Sequence, residues 1–504
     1  MNTTITLSRG SAIMIIAFAI GAVLNFAFAV SMGWLLTPAE YGMLGVAQGL
    51  IAIVGLFIGA AFPWVVTKFL AEPGRQDKAT IFKSSMIPNI GLAFLLSLLL
   101  YLGYEFAWLP LGNEYQPLIT VVIILILVTS VSSIYQGSLQ GLLRFKQLGI
   151  VRCISPTIVL VSSVSLVLFG FGAPGAMTGY IVAALIALIF CLYYTRDQKF
   201  WQRSSWTSKE VYSFALPMFL GIMGAQFLIN VDILGVKFFV PGMSDIMAGY
   251  YRASLTISRI PVFFALAIMG VFLPFISHFA TNREMVNNYS AKIVKYALIF
   301  VLPICLAIFA IPGSLITLIF PQSYIAGAQT LRILSIGMFL LVLSLIYSSV
   351  FQGVGKPKVP AIIMLGTIAI QIACLYFLVP RYSLTGAAIS TTSACLFSFI
   401  LLQYVHLRHY GSSFNMRDLG KIALASVVLL LILYFFPMPG RILTVIGLIC
   451  GLGAFFAILA VAKVLHYTDA DILLSGILNN ESRVRASVVN LIRVLNREAG
   501  DVNP

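Results

Sequence analysis

Long apolar runs, each near the length that crosses a hydrocarbon core, alternate with short polar breaks along almost the whole chain. A membrane helix needs about 20 apolar residues. The pattern supplies fourteen such stretches, at 11–35, 44–67, 85–107, 117–139, 150–171, 175–194, 211–239, 247–276, 292–319, 329–352, 359–379, 384–405, 420–437 and 442–464. Pro63, Pro217, Pro274 and Pro303 fall inside runs and predict kinks, which membrane helices tolerate where neighbours satisfy the freed carbonyls. Residues 466–504 are polar, with an apolar stripe of Ile477, Val484, Val488, Leu491, Ile492 and Leu495 broken by Arg483, Arg485, Arg493 and Arg497. Such a tail reads either as an amphipathic helix on the anionic inner leaflet or as a solvated end.

The runs repeat. Tyr135 to Gly141 (YQGSLQG) aligns with Tyr347 to Gly353 (YSSVFQG) at an offset of 212, and the register carries on to set Arg144 over Lys356 and Lys146 over Lys358. Gly175 to Gly179 matches Gly386 to Ser390 at an offset of 211, and Ala39 to Tyr41 matches Ala248 to Tyr250 at 209. The offset spans six helices, an even number, so both copies face the same way; parallel repeats of this kind place a substrate site between two halves. The expected fold is therefore an all-α polytopic membrane protein with about 14 transmembrane helices. Two six-helix lobes form a parallel repeat (1–195 and 211–409) joined by a cytosolic loop (196–210), and two extra helices (410–465) precede the tail.

Only 9% of the 504 residues are charged, against roughly 25% in a soluble protein, which excludes a water-soluble fold of this size. The net charge of +15 would suggest nucleic acid in a soluble domain, but its placement gives another cause. With the N-terminus inside, all but Lys237, Arg252, Arg259, Arg332, Arg381 and Arg441 of the 31 Lys+Arg fall on the inner side, as positive-inside topology requires. Both termini are expected in the cytosol, the protein in the cytoplasmic (inner) membrane, and no nucleic acid among its partners. The six cysteines form no CxxC pair and read as apolar fillers. No enzyme, metal or cofactor signature stands out: His406 and His409 have no third ligand nearby, and Gly353 to Pro357 (GVGKP) lacks the glycine spacing and the Ser/Thr of a phosphate loop.

Ionisable groups inside a bilayer are costly and point to function by default. Arg252, Thr256 and Arg259 fall at i, i+4 and i+7, on one face of helix 8; Gln226, Asn230 and Lys237 share a face of helix 7, with Asp232 on another. Either Arg252 and Arg259 face a cavity and grip an anionic group, whose oxygens suit a planar guanidinium fork, or Asp232 and Arg259 lock the two helices as a charge pair. Arg332 either adds to the cavity or anchors the interface. Asn25 sits where Asn230 sits in the repeat and is a further cavity candidate. Matched stripes on helices 4 and 10 (Ser132, Gln136 and Gln140 against Ser344, Ser348 and Gln352) read either as cavity lining or as hydrogen bonds between helices.

Leu35 to Gly42 (LLTPAEYG), Leu331 to Leu334 (LRIL), Gln352 to Pro357 (QGVGKP) and Leu384 to Ala388 (LTGAA) occur in an order and spacing that resembles the polysaccharide-transporter branch of the MOP flippase superfamily, the Wzx-type flippases. The resemblance spans essentially the whole chain. It implies export of a polyprenyl-diphosphate-linked oligosaccharide across the cytoplasmic membrane by alternating access, with membrane lipids and glycan-assembly proteins as further partners. A multidrug exporter of the same superfamily is the main alternative, and a non-transporting scaffold of a glycan-synthesis complex is another.

Overall fold

The computed structural model describes residues 2–59, 62–72, 77–202, 211, 227, 229–240, 242–412, 416–437 and 440–464. Gln226, Pro217 and the tail at 466–504 lie outside these residues. Among the described residues there are helices and no strand. In chain order they are α1 (Asn2–Leu35), α2 (Pro38–Gly59), α3 (Phe62–Leu70), α4 (Lys78–Glu105), α5 (Gln116–Gly141), α6 (Phe145–Leu166), α7 (Gly172–Thr195) and α8 (229–239). There follow α9 (Ser244–Ser258), α10 (Ile260–His278), α11 (Arg283–Tyr296), α12 (Leu302–Ala310), α13 (Pro312–Ile319), α14 (Ala328–Gly353), α15 (Lys358–Tyr410), α16 (Met416–Phe435) and α17 (Arg441–Val461).

Ten continuous helical stretches among the described residues are long and apolar enough to cross a membrane. Two of them run 51 and 53 residues, at Phe145–Thr195 and Lys358–Tyr410. A straight helix of that length would reach nearly 80 Å at about 1.5 Å per residue, far beyond a hydrocarbon core of about 30 Å. Each instead breaks at a left-handed residue: Gly172 has φ 52° and ψ −145°, and Ser383 has φ 48° and ψ −124°. The chain doubles back there, so that Ser163 Oγ in α6 donates to the Ala176 carbonyl in α7 at 2.7 Å. Each long stretch is therefore a pair of crossings. The all-α polytopic fold expected from the sequence is borne out.

The two breaks are 211 residues apart, which is the offset read from the sequence, and the repeat extends to a helix end. After α5, the Leu143 N–H donates to the Gln140 carbonyl at 3.1 Å and the Arg144 N–H to Leu139 at 2.9 Å. After α14, Gly355 donates to Gln352 at 3.0 Å and Lys356 to Phe351 at 2.8 Å, every member displaced by 212. These are paired Schellman closures, whose penultimate residue must be left-handed: φ is 57° at Leu143 and 77° at Gly355. A left-handed non-glycine residue costs roughly 1–2 kcal/mol, and glycine loses about 0.5–1 kcal/mol more chain entropy on folding. Leu143 is exposed, so its side chain contributes little. Leu143→Gly is therefore expected to stabilise the detergent-solubilised protein by about 0.5–1 kcal/mol, read as a higher melting temperature; a lower one would mean that the turn is not strained.

The motif at Leu35 to Gly42 starts a helix. The Thr37 N–H and hydroxyl donate to Glu40 Oε2 at 3.0 and 2.8 Å, and the Glu40 N–H returns a bond to Thr37 Oγ1 at 3.3 Å. Such a capping box satisfies donors that a helix start leaves orphaned, and Pro38, which has no N–H, fits the first helical position. The second span therefore begins at Pro38, six residues before the apolar run from 44 predicts. Pro303 likewise sits at the start of α12, just after a π-helical turn at Ala297–Val301, because it cannot donate into the preceding ladder.

By contact the chain falls into two compact units. The first takes Met1–Ala253 and Ile372–Ala387, and the second takes Ser254–Gln371 and Ala388–Pro504. At one end of the first unit Phe82 stacks on Phe200 with centroids 4.3 Å apart, while Arg144 forms a bidentate pair with Asp197 and donates to the Tyr194 carbonyl at the end of α7. The Arg144 guanidinium, aided by the Gln198 amide, holds the Asp197 carboxyl well below the usual carboxylate range. In the second unit Lys295 pairs with Asp418 at 3.0 Å and Arg441 Nε donates to the Thr317 carbonyl at 3.0 Å, which ties α16 and α17 to the helices before them. Outward-facing Phe94, Leu95, Leu98 and Leu99 on α4, and Tyr434 and Phe435 on α16, suit a lipid surround. All six cysteines are free.

Candidate functional site

The polar groups of the first unit gather on α2, α7, α8 and α9. Asp232, fully buried in α8, accepts the Tyr251 hydroxyl of α9 at 3.0 Å through Oδ2 and the Ile233 N–H at 2.8 Å through Oδ1. One residue further along α9, Arg252 points to α2 and donates from Nη2 to Gln48 Oε1. Gln48 Nε2 in turn donates to the Tyr180 hydroxyl of α7 at 2.8 Å. Tyr180 is fixed by an edge-on contact with Phe28 of α1, with centroids 5.3 Å apart. A guanidinium, an amide and a phenol thus form one hydrogen-bonded chain across the three helices α9, α2 and α7.

Lys237 lies apart from that chain, in the last turn of α8. Its Nζ is 2.7 Å from Asp245 Oδ1 in the first turn of α9 and 4.6 Å from the centroid of the Tyr115 ring. The Tyr115 hydroxyl donates to the same Asp245 oxygen. Asn230 is half-buried at the start of the described part of α8. Asn25 on α1 is exposed.

The other two arginines belong to the second unit. Arg259 sits half-buried in the single-residue break between α9 and α10, where its N–H still closes the last turn of α9 on the Leu255 carbonyl at 3.1 Å. Arg332 in α14 donates from Nε to the Phe309 carbonyl at 3.1 Å and lies 5.8 Å over the Phe309 ring. In the matched stripes Gln136 Nε2 donates to Ser132 Oγ at 3.2 Å within α5, while Ser344 Oγ donates to the Leu340 carbonyl at 2.9 Å within α14 and to the Cys395 carbonyl of α15 at 3.5 Å.

Gln48, Tyr180, Tyr251, Tyr115 and Asp245 were not singled out by sequence reasoning. Gln48 alone carried a usable signal, as an amide in the middle of an apolar run. No group of three or more His, Cys, Asp or Glu among the described residues could hold a metal ion.

Residues 32–329, more than half the chain, match the family described as polysaccharide biosynthesis protein. The chain belongs to that family. A Shigella flexneri relative, named "Putative O-antigen transporter", is 24% identical over 75% of this chain and 93% of its own length. Among solved structures, a lipid II flippase MurJ in an inward closed conformation superposes with a TM-score of 0.70 at 14% identity, over 88% of this chain and 97% of that one. A multidrug resistance MATE transporter of the MOP superfamily, inward-facing, gives 0.60 at 15% identity, over 81% and 100%. The chain is thus a multi-pass membrane protein with the fold of the MOP transporters and flippases, and the family resemblance read from its motifs is borne out.

Proposed function

We propose that this protein flips a polyprenyl-diphosphate-linked oligosaccharide across the cytoplasmic membrane by alternating access, with both termini in the cytosol. The halves read from the repeat, 1–195 and 211–409, act as the moving lobes, and 410–465 is accessory. The observation that carries this reading is the Arg252–Gln48–Tyr180 chain across α9, α2 and α7. Arg252 is engaged there by a neutral amide oxygen, an acceptor that a phosphate oxygen can replace with a stronger, charge-assisted bond. Tyr180 and Gln48 supply the hydroxyl and amide that sugar hydroxyls pair with. The names of the Shigella relative and of the lipid II flippase support a lipid-linked glycan as cargo.

The MATE-like fold favours a second reading, export of small toxic compounds. A cationic cargo needs an available buried carboxylate, whereas both oxygens of Asp232 already accept hydrogen bonds. Deletion of the gene separates the readings. Accumulation of a lipid-linked oligosaccharide on the cytosolic leaflet is expected; drug sensitivity without accumulation would favour the exporter, and neither effect would favour the scaffold.

A further inference from the structure

We propose that Lys237, Asp245 and Tyr115 form a latch that closes the outer end of the first unit and must part in every transport cycle. The inference rests on the alternating-access reading and the positive-inside sidedness above, which set the start of α2, the turn before α5 and the α8–α9 connection on the outer side. Three separate chain segments meet at one carboxylate: Asp245 Oδ1 receives the Lys237 ammonium at 2.7 Å and the Tyr115 hydroxyl. Lys237 is also 4.6 Å from the Tyr115 ring centroid, so the phenol meets the cation with its face and the anion with its hydroxyl.

Tyr115 is fully buried and Lys237 is 6% exposed, whereas Asp245 is only half-buried, as expected for a plug with one wet side. A buried ammonium that loses its carboxylate is strongly destabilising, so Lys237 and Asp245 stay together and the phenol is the part that lets go. Tyr115 belongs to the first repeat half and the ion pair to the second, which makes their contact a tie between elements that must separate. Directly beneath it α2 and α9 touch through main chain. A Cβ on Gly42 would lie 1.9 Å from the Asp245 carbonyl oxygen, and one on Gly249 would lie 1.9 Å from that of Pro38. Tyr115, Asp245 and this crossing lie at the outer end of α2 and α9, seven residues along α9 from Arg252.

A cysteine-free background with Gln48→Cys supplies the test, because Gln48 lies roughly 15 Å along α2 from its outer start. Tyr115→Phe removes only the hydroxyl. It is expected to raise the rate at which an external, membrane-impermeant maleimide labels that cysteine by at least threefold, with unchanged protein abundance. In a second arm, with Gln48 restored in the cysteine-free background, Glu114→Cys and Ser244→Cys, the chain neighbours of Tyr115 and Asp245 that leave the latch groups in place, are bridged by a short thiol-cleavable bifunctional reagent. Transport is expected to stop on bridging and to return on reduction. An unchanged labelling rate, or full transport through the bridged protein, would overturn the latch. Labelling needs no substrate, so a wrong cargo assignment would leave the threefold difference intact, whereas its loss removes the latch whatever the cargo is.

Discussion

Gly249→Ala is expected to lower stability by about 3 kcal/mol, near the top of the range for overpacking, and to melt the detergent-solubilised protein at a lower temperature. The added carbon would meet the Pro38 carbonyl oxygen at 1.9 Å, and on the facing helix a Cβ at Gly42 would meet the Asp245 carbonyl at the same distance. Neither obstacle is a side chain that can rotate away, so α9 must shift off α2. The two sites describe one crossing, and Gly42→Ala with Gly249→Ala should therefore cost less than the sum of the single changes, since the first already parts the helices. Thermal unfolding of the three variants reads this. A wild-type melting temperature for Gly249→Ala would mean that the helices do not approach so closely.

Arg252→Ala should reduce transport of the lipid-linked glycan roughly 10- to 100-fold, because charged hydrogen bonds contribute about 1.5–3 kcal/mol and each 1.4 kcal/mol is tenfold. Arg252→Lys keeps a charge without the planar fork and should fall between. Gln48→Glu is the sharper variant. It turns the neutral acceptor beside Arg252 into a carboxylate that does not yield to phosphate, so transport should be lost while the protein folds normally. Arg259→Ala, on the same helical face by sequence spacing, is expected to abolish transport while leaving the protein in the membrane. Complementation of a deletion strain, with membrane abundance checked alongside, measures all four. Full transport by Arg252→Ala would remove that arginine from the cargo's path.

The helices, their pairing into hairpins and the duplication were legible because each follows from local periodicity or from direct alignment of the chain with itself. The offset near 212 even anticipates the matched closures at Leu143 and Gly355. The start of α2 was misjudged for an equally local reason: Thr37, Pro38 and Glu40 are polar or helix-breaking in a hydropathy profile yet start a helix once their mutual hydrogen bonds form. The polar contacts were another matter. Gln48 and Arg252 are 204 residues apart, and Tyr115 and Asp245 are 130 apart. Spacing along one helix shows which face a residue shares and not what closes over it. Lys237 was grouped with Gln226 and Asn230 on one face of helix 7, and its partner Asp245 lay in the connection between two predicted spans.

The Lys237–Asp245 pair has an electrical consequence. One carries a positive charge, the other a negative charge, their contact atoms are 2.7 Å apart, and only eight residues of chain separate them. Together they sum to zero. A membrane voltage does about 2.3 kcal/mol of work on each elementary charge per 100 mV, and on a neutral couple that travels as one body it does almost none. The pair itself would then add almost nothing to the voltage dependence of opening, and any dependence of export on membrane potential would report the other charges that move: Arg252 and Arg259, the cargo or a co-transported ion.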